Sequence, residues 1–471
     1  MENSHALVIP YPAQGHVIPM MELSYCLMHR GFRITFVITE FNHARVMTAL
    51  PKTGGVNGQI RLVTIPDGMA PGEDRNDVGK LCESILRVMP CGLEALIRKI
   101  NESDHDTITC LVADWCMGWA VEVAAKMGIR GAAVWTVPMG LCAVMFHVPK
   151  LIEDGILDAD GFPKKQQMIK LSPTMPGLST AHLLWLCIGD RVSQKSLFQY
   201  FDGCTRATKF ADWFFCNSFY EIEPYAYDLV PKVLPIGPLM AGRRHGLLEG
   251  NFWPENSTCL SWLDEQPARS VIYVAFGSFT IFDQCQFQEL ALGLEISNRS
   301  FLWVVRPDLT NGSLNAYPDG FEARVANRGR IIGWSPQQKV LAHPSIACFL
   351  THCGWNSTME GVSNGVPFLC WPYFADQFQN QAYISDVWKV GLQMKPNSSG
   401  IISREEIKGK IDELLGDEGI RARSLELKRI AQKNVAEGGS SYKNFDDFIE
   451  SIKSGSVREI SMNGTVNWLS L

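Results

Sequence analysis

The segment that most constrains the fold joins an apolar run at Ile346–Leu350 to a polar turn that begins at His352. The run has the length and composition of a buried strand. Asn356 and Ser357 favour a helix N-terminus, so we expect a helix from Met359 onward. Because the first amides of a helix have no partner within it, a strand, a glycine turn and a helix N-terminus together form an anion site. The segment therefore predicts an α/β unit that binds an anionic ligand.

The side chains around this turn suit a nucleotide-sugar. His352 adds a hydrogen-bond donor, while Trp334 and Trp355 offer flat apolar faces. The carboxylate of Glu360 can accept hydrogen bonds from sugar hydroxyls. An anion site flanked by such groups predicts a cradle for a nucleoside diphosphate sugar.

The 44 residues from Trp334 to Gln377 closely resemble the donor-binding signature of plant family 1 UDP-glycosyltransferases. The resemblance implies that Trp334 stacks on uracil and that Glu360 binds the ribose. It also implies that Asp376 and Gln377 bind the hydroxyl groups of the sugar. The positions that hold the diphosphate in the family are His352, Gly354, Asn356 and Ser357. Two further positions match the motif, Gln337 and Trp355.

Composition and charge exclude several classes of protein. A chain of 471 residues predicts two or three domains, and a formal charge of −6 argues against a nucleic-acid binder. The 14 cysteines include no Cys-x-x-Cys pair, and the sequence shows no secretory leader, so we expect reduced thiols and a cytoplasmic protein. The apolar stretch 131–148 is broken at Pro138–Gly140, which predicts two buried elements rather than a membrane span.

The first half of the chain alternates strands with helices, which predicts a parallel, doubly wound sheet. The first strand is Ala6–Ile9 and the fourth is Thr107–Ala113. In the common strand order 3-2-1-4-5 these two strands are neighbours, and ligands bind beyond their carboxyl ends. His16 follows the first strand and Asp114 follows the fourth, so we expect the two side chains to lie side by side.

Two interpretations of His16 and Asp114 are open on spacing alone. A histidine beside a carboxylate forms an oriented general base, because the carboxylate fixes the tautomer and stabilises the imidazolium. Alternatively, each residue only caps the helix that follows it. The resemblance favours the first interpretation, since Gly15-His16 and Asp114 match the family's catalytic dyad.

A long, proline-containing stretch from Leu151 to Tyr200 lies beside this predicted site and suits a wall for a small-molecule acceptor. Aromatic side chains in and near the stretch are candidates for acceptor contacts, although most aromatic residues in proteins belong to the core. The candidates are Trp135, Phe146, Trp185, Phe198 and Tyr200.

In the second half of the chain, polar residues again follow the predicted first and fourth strands of a sheet. Val271–Phe276 and Ile346–Leu350 are predicted as the first and fourth strands of a second sheet. Ser278 follows one and His352 follows the other, so both are expected at the second switch point, facing the diphosphate.

The resemblance implies two Rossmann-like, doubly wound parallel-sheet domains of the GT-B fold that face a central cleft. The boundaries predicted from the sequence are an acceptor-binding domain at 1–240, a linker at 241–256, a donor-binding domain at 257–440, a final helix at 441–454 and a disordered tail at 455–471. In the family the final helix packs back on the first domain.

We therefore expect an inverting glycosyltransferase, a monomer, that uses UDP-glucose and a small hydrophobic hydroxylated acceptor. The family's signature usually ends in Gln for glucose donors, which is the residue type of Gln377. Aromatic walls favour a phenolic acceptor such as a flavonoid or phenylpropanoid; a terpenoid or a hormone also fits. No metal is expected, because the Asp-x-Asp matches at Asp104–Asp106 and Asp158–Asp160 follow no nucleotide-binding strand.

Two other functions remain as alternatives. An NAD-dependent oxidoreductase is disfavoured, because no Gly-x-Gly-x-x-Gly follows either first strand. A non-catalytic protein that binds a nucleotide-sugar or another small molecule is disfavoured by the presence of both His16 and Asp114.

Overall fold

The chain forms two compact units in the computed structural model, one made of Met1–Phe252 and Asn434–Leu471 and the other of Trp253–Lys433. Each unit has its own parallel sheet. The residues that the structure describes are 4–49, 60–102, 106–239, 252–307, 309–310 and 317–455. Residues 241–251 of the predicted linker and residues 456–471 of the predicted tail lie outside these residues.

The first unit is built on a parallel sheet of seven strands in the order β3-β2-β1-β4-β5-β8-β9. The strands of this sheet are β1 His5–Ile9, β2 Arg33–Thr39, β3 Ile60–Ile65, β4 Cys110–Asp114, β5 Arg130–Trp135, β8 Trp213–Cys216 and β9 Val233–Pro235. A short antiparallel pair, β6 Met168–Ile169 and β7 Leu178–Ser179, lies apart from it. Strands β1 and β4 are neighbours, as the alternating pattern predicts.

Helices connect the strands of this sheet. They are α1 Gln14–His29, α2 Glu40–Ala49, α3 Val78–Asn101, α4 Trp119–Lys126, α5 Met139–Phe146, α6 Val148–Glu153, α7 Arg191–Ala207 and α8 Pro224–Leu229. The central strands are buried on both faces, which is why their sequences are continuous apolar runs rather than alternating ones.

The last helix of the described residues, α17 Ser440–Ser454, belongs to the first unit. Its Phe448 lies edge-on to Trp213 and Phe215 of strand β8, with ring centroids 5.0 and 5.2 Å apart. The side chain of Asn444 donates to the carbonyl of Pro235 at 2.8 Å. Aromatic contacts and a partly buried hydrogen bond therefore fix the helix to the edge of the sheet that ends in β9.

The second unit is built on a parallel sheet of six strands in the order β12-β11-β10-β13-β14-β15. Its strands are β10 Val271–Ala275, β11 Ser300–Val304, β12 Gly329–Ile332, β13 Ile346–Thr351, β14 Phe368–Cys370 and β15 Gly391–Gln393. The helices of this part of the chain are α9 Thr258–Asp264, α10 Gln284–Ile296, α11 Phe321–Val325, α12 Gln337–Leu341, α13 Trp355–Asn364, α14 Gln377–Ala382, α15 Arg404–Gly416 and α16 Glu418–Val435. The expectation of two parallel α/β sheets is thus confirmed.

One helix start predicted from the sequence is wrong. Helix α13 begins at Trp355 rather than at Met359, and its N-cap is Gly354. The first helical backbone bond runs from the Thr358 amide to the Gly354 carbonyl at 2.9 Å. Asn356 and Ser357 therefore lie inside the first turn instead of capping it, which places their backbone amides among those that point out of the helix end.

No helix among the described residues combines the length and apolarity that a membrane span requires. The stretch 131–148 divides into strand β5 and helix α5, on either side of Pro138.

Candidate functional site

The carboxyl edge of the first sheet brings His16 and Asp114 into direct contact. His16 lies in the first turn of α1, just after β1, and Asp114 is the last residue of β4. The Nδ1 atom of His16 is 2.8 Å from Oδ2 of Asp114. The juxtaposition expected from strand order is therefore present, although 98 residues of sequence separate the pair.

Asp114 is held by more than the histidine. Its Oδ1 accepts the backbone N–H of Cys116 at 2.8 Å, which caps the short helical turn that follows β4. Its Oδ2 lies 3.3 Å from Oγ1 of Thr136, the residue after β5, and that hydroxyl is also 3.2 Å from Nδ1 of His16. The capping role and the pairing role weighed for Asp114 therefore coexist, one on each oxygen.

Exposure differs sharply between the two partners. The side chain of His16 is 22% exposed, whereas that of Asp114 is 1% exposed. When Nδ1–H donates to a carboxylate, the lone pair of the imidazole lies on Nε2. A reachable histidine with a buried orienting carboxylate can therefore take a proton from a bound molecule.

The same place contains a group of possible metal-ligand atoms. Among the described residues, His16, Asp114 and Cys116 have candidate ligand atoms within 4.8 Å of one another. Burial raises the pKa of the Cys116 thiol well above its ordinary value, which disfavours the thiolate that binds metals. The oxygens of Asp114 already accept hydrogen bonds. Hydrogen bonds alone therefore account for the contact between His16 and Asp114.

Four of the five aromatic residues expected to touch an acceptor are buried in this structure, two of them completely. Trp135 and Trp185 have no exposed surface, and their indole N–H groups donate to the carbonyls of Pro138 and Gly161. A ring without exposed surface presents no face to a ligand, so the core alternative is correct for these two.

Phe198 and Tyr200 are buried for similar reasons. The ring of Phe198 packs against Trp185 at 5.1 Å, and the hydroxyl of Tyr200 donates to the carbonyl of Cys116 at 2.5 Å. Their exposed fractions are 5% and 3%. Phe146 alone is partly exposed; its ring contacts Phe214 and lies beneath the ammonium group of Lys232.

In the second unit, the imidazole of His352 is enclosed by two glycine segments. A Cβ added at Gly277, after β10, or at Gly354, at the start of α13, would lie 2.5 Å from Nε2 of His352. Gly277 has a φ of +64°, so it is glycine for conformational reasons as well. The close approach of both backbones fixes the plane of the ring at the end of β13.

The charge state of His352 follows from its surroundings. Burial is the main cause that lowers its pKa to about 4; the positive charge of Arg306 acts in the same direction, and a hydrogen bond to the Ala275 backbone opposes both. His352 is therefore a neutral imidazole near pH 7 and offers an N–H donor without a full charge.

Arg306 also shapes the loop that follows β10. Its guanidinium is 3% exposed and donates to the carbonyls of Gly277, at 2.8 Å, and Thr280. These two bonds bracket Ser278, which is partly exposed between them. A buried cation thus sets the conformation of the loop that carries Ser278.

The backbone at the turn before α13 is strained. Cys353 has a φ of +65°, and Ala375, just before Asp376, has a φ of +55°. Non-glycine residues in this region cost free energy and are concentrated at functional sites. The amide of Asn380 bridges the two segments, because Nδ2 donates to the Cys353 carbonyl at 2.8 Å and to Oδ2 of Asp376 at 2.7 Å.

A hydrogen-bond network joins three residues of the predicted donor motif. Nε2 of Gln337 donates to Oε2 of Glu360 at 2.5 Å and to Oγ of Ser357 at 2.9 Å. Nearby in the chain, the ring of Trp334 stacks on Trp253 with centroids 4.7 Å apart, which covers one of its faces. The motif's glutamate is oriented by an amide, and its first tryptophan is supported from one side.

Two details of the donor motif differ from the sequence-based expectation. Trp355 is only 2% exposed and its ring lies 6.3 Å from that of Trp388, so it contributes backbone rather than a flat face. The Oε1 atom of Gln377 accepts the backbone N–H groups of Tyr373 and Phe374 at 2.7 and 3.1 Å. Its amide therefore offers a ligand donors only, because the carbonyl is already used.

Several residues at these two edges were missed from the sequence. Thr136 follows the strand next to β4 and could have been found if that strand had been located in the sequence. Arg306 could have been found as a polar residue soon after β11. The sequence offers no signal for the role of Asn380.

Comparison with known proteins decides the family. The family model described as UDP-glucoronosyl and UDP-glucosyl transferase matches residues 251–435. UDP-glycosyltransferase 83A1 of Arabidopsis thaliana is 44% identical over 466 residues, covering 96% of this chain and 98% of its own. The chain belongs to the plant UDP-glycosyltransferases.

Other members of this UDP-glycosyltransferase family are similar over nearly the whole chain. The 7-deoxyloganetin glucosyltransferase of Gardenia jasminoides is 34% identical, covering 95% of this chain and 98% of its own. The structure of Phytolacca americana UGT2 complexed with UDP-2fluoro-glucose and pterostilbene superposes with a TM-score of 0.78 at 28% identity, covering 96% of this chain and 99% of that one. The resemblance and the GT-B fold are thus confirmed, and the protein is a glycosyltransferase that uses a UDP-sugar.

Proposed function

We propose that this glycosyltransferase transfers glucose from UDP-glucose to a hydroxyl group of a small hydrophobic acceptor and forms a β-O-glucoside with inversion. The observation that carries the proposal is the contact between a reachable His16 and a buried Asp114 at the carboxyl edge of the first sheet. The second unit supplies the complete set of donor-motif side chains.

His16 acts as the general base. Its Nε2 takes the proton of the acceptor hydroxyl while that oxygen forms a bond to the anomeric carbon. The bond from that carbon to the diphosphate breaks, and UDP leaves with the electron pair. Asp114 stabilises the imidazolium that forms, and the proton then passes to solvent.

The diphosphate is held by groups whose charge or dipole matches its own. The amides of the first turn of α13 point out of the helix end, which favours an anion there. His352 contributes a neutral N–H, and Ser278 contributes a hydroxyl. The buried charge of Arg306 adds a favourable potential. Preorganised donors of this kind stabilise the charge that develops on a leaving group.

The uridine is bound by Trp334 and Glu360. Trp253 already covers one face of Trp334, and that support leaves the opposite face for uracil. Glu360 is 5% exposed and is oriented by Gln337, so its carboxylate suits the two hydroxyls of a ribose.

Glucose is the proposed sugar. Asp376 accepts hydrogen bonds, and the amide nitrogen of Gln377 donates them, which together suit adjacent equatorial hydroxyls. The motif has Trp355 at a position where glucuronate-using relatives tend to have Arg, so a carboxylate on the sugar would find no partner there.

The acceptor is a phenolic or a terpenoid. One relative is named for 7-deoxyloganetin, a terpenoid, and one similar structure contains pterostilbene, a phenol. The buried state of Trp135, Trp185, Phe198 and Tyr200 removes the main sequence argument for phenolics alone. We further propose a monomeric, cytoplasmic enzyme that needs no metal.

A competition assay tests this function. Equimolar UDP-glucose, UDP-galactose and UDP-glucuronate are offered with a panel of phenols and terpenoid alcohols, in buffer with and without EDTA, and products are detected by mass. We expect the glucoside of at least one acceptor to dominate, with equal rates in EDTA. A dominant product with another sugar, or UDP release that does not depend on an acceptor, contradicts the proposal.

A further inference from the structure

A buried tyrosine underlies the donor motif of the second unit. Tyr273 lies in the middle of β10 and has no exposed surface. Its hydroxyl donates to Oε1 of Gln337 at 3.0 Å and lies 2.6 Å from Oγ of Ser335. A buried phenol is costly unless its O–H is bonded, and here both neighbours are polar side chains of the motif.

The bond from Tyr273 determines which way the amide of Gln337 faces. Because Oε1 accepts from the tyrosine, Nε2 is turned toward Oε2 of Glu360 and Oγ of Ser357. A side-chain amide has chemically different ends, so a donor at one end and a carboxylate at the other select the same orientation. The three bonds form a relay from the strand to the carboxylate.

We propose that Tyr273 is a positioning residue for donor binding, which orients Glu360 and Ser357 through Gln337. The proposal rests on the proposed roles of Glu360 and Ser357 in holding UDP. It adds a residue outside the 334–377 motif whose hydroxyl, rather than its ring, sets the affinity for the ribose.

The ring and the hydroxyl of Tyr273 have separable roles. The ring stacks on Phe349 of β13 with centroids 4.9 Å apart, a packing contact that phenylalanine can reproduce. Burial raises the pKa of the phenol, and the charge of Glu360 raises it further, so the hydroxyl remains a donor at all pH values at which the enzyme works. Tyr273→Phe therefore removes one hydrogen bond and leaves the core filled.

The expected effect falls on binding of the nucleotide. A carboxylate that accepts hydrogen bonds from two ribose hydroxyls at once binds the ribose more weakly when its plane is no longer fixed. Tyr273→Phe should weaken UDP by about 3- to 10-fold, the size expected for one orienting hydrogen bond. The KM for UDP-glucose should rise by the same factor with little change in kcat, because the nucleotide is held alike in the ground state and the transition state.

The test compares UDP with 2′,3′-dideoxy-UDP by calorimetry on the full-length protein. The wild type should prefer UDP, and in Tyr273→Phe the preference should shrink by about 3-fold or more. Tyr317→Phe is the matched control, since the ring of Tyr317 packs against Trp303 and Phe321 in the core of the same unit. This control should keep the preference of the wild type.

A double variant separates a relay from an independent packing effect. If Tyr273 acts through Gln337, the double variant Tyr273→Phe/Gln337→Ala should bind UDP no more weakly than Gln337→Ala alone. Fully additive losses overturn the relay, as does an unchanged preference in Tyr273→Phe. A wild type that does not distinguish the two nucleotides instead refutes the ribose role of Glu360, and the relay with it.

A second variant covers the case in which Tyr273→Phe does not fold. Ser335→Ala removes the other polar neighbour of the Tyr273 hydroxyl. It should reduce the preference for UDP in the same direction and by a smaller factor. If Ser335→Ala keeps the wild-type preference while Tyr273→Phe fails to fold, Tyr273 is a core residue and the proposal is wrong.

Discussion

Each unit places a histidine at the carboxyl edge of its sheet, His16 after the first strand and His352 after the fourth, and the two side chains have different surroundings. His16 lies at the carboxyl edge of the first sheet beside the buried carboxylate of Asp114. His352 lies at the carboxyl edge of the second sheet, near the buried guanidinium of Arg306, and has its pKa lowered to about 4. In both sheets the first and fourth strands are neighbours, so each histidine occupies the same kind of switch point.

The difference illustrates how burial and neighbouring charge together determine what an imidazole can do. A carboxylate stabilises the imidazolium that forms when a base takes up a proton. Burial keeps the ring of His352 neutral, with the nearby cation acting in the same direction, and a neutral ring suits a hydrogen-bond donor that does not take up a proton. On the proposed function, the same fold provides a base in one unit and a fixed hydrogen-bond donor in the other.

The largest expected effect comes from removing the base. His16→Ala should lower kcat by about 10²- to 10⁴-fold, the usual contribution of a positioned general base. Asp114→Asn should lose less, because the imidazole remains. The loss should be greater for an aliphatic alcohol than for an acidic phenol, which needs less help to give up its proton. Near-wild-type turnover of an aliphatic alcohol by His16→Ala would show that the base lies elsewhere.

Displacing His352 should have the next largest effect, on UDP binding. In Gly354→Ala the new Cβ would lie 2.5 Å from Nε2 of His352, so the ring must move. Loss of its hydrogen bond to a charged phosphate should raise the Kd of UDP by about 10- to 100-fold.

A glycine elsewhere in the second unit provides the control for the close approach to His352. Gly277→Ala adds the same clash to a backbone at φ +64°, whereas Gly400 has a φ of +79° and a Cβ added there would meet no heavy atom within 4 Å. Gly400→Ala carries the conformational cost alone and should bind UDP as the wild type does. Equal losses in Gly277→Ala and Gly400→Ala, with none in Gly354→Ala at its φ of −58°, would mean that backbone strain, not His352, sets the affinity.

A smaller effect should come from Thr136, which touches both members of the His16–Asp114 pair. Thr136→Val keeps the shape and removes the hydroxyl that donates to Asp114. We expect kcat to fall by about 3- to 10-fold, since the carboxylate keeps its other donors. Thr136→Ser should retain most activity. A change in UDP affinity with unchanged kcat would place Thr136 outside the acid–base chemistry.

The smallest effect concerns pH, where the account predicts no change from His352. Its pKa of about 4 means that the ring stays neutral between about pH 5.5 and 8. The pH dependence of UDP affinity in this range should therefore be the same for the wild type and His352→Gln, since the phosphates titrate in both.

Any stability that the neutral ring contributes to the fold is present above pH 6.5 and is lost as pH falls through about 4. A difference between the two pH profiles centred near pH 6.5 would show that His352 has the pKa of an ordinary histidine.

The sequence predicted what depends on strand order and on residue type at fixed spacing. Alternating strands and helices predicted that His16 lies near Asp114, as the structure shows. The 334–377 motif marked Gln337 and Glu360 as site positions, but the bond between them is known only from the structure. The start of α13 was wrong because Gly354 caps it, although Asn356 and Ser357 are favoured capping types.

Other features required coordinates. In the sequence, Tyr273 looks like another buried residue of an apolar strand. Only the structure shows that its hydroxyl donates to Oε1 of Gln337. The burial of four of the five aromatic candidates was not foreseen, because the sequence around a buried tryptophan does not differ recognisably from the sequence around one that lines a pocket. Trp135 and Trp185 are recognised as core residues by their lack of exposed surface, and their N–H groups donate to backbone carbonyls.

The division of roles between the two histidines is tested most directly by measuring two quantities on two variants. The kcat with a saturating acceptor and the Kd of UDP are determined for His16→Ala and His352→Ala. The account predicts that His16→Ala loses turnover by about 10²-fold or more while its UDP affinity stays within about 2-fold of the wild type. His352→Ala should weaken UDP by about 10-fold or more. If His16→Ala weakens UDP as much as His352→Ala does, or keeps its turnover, the central claim is contradicted.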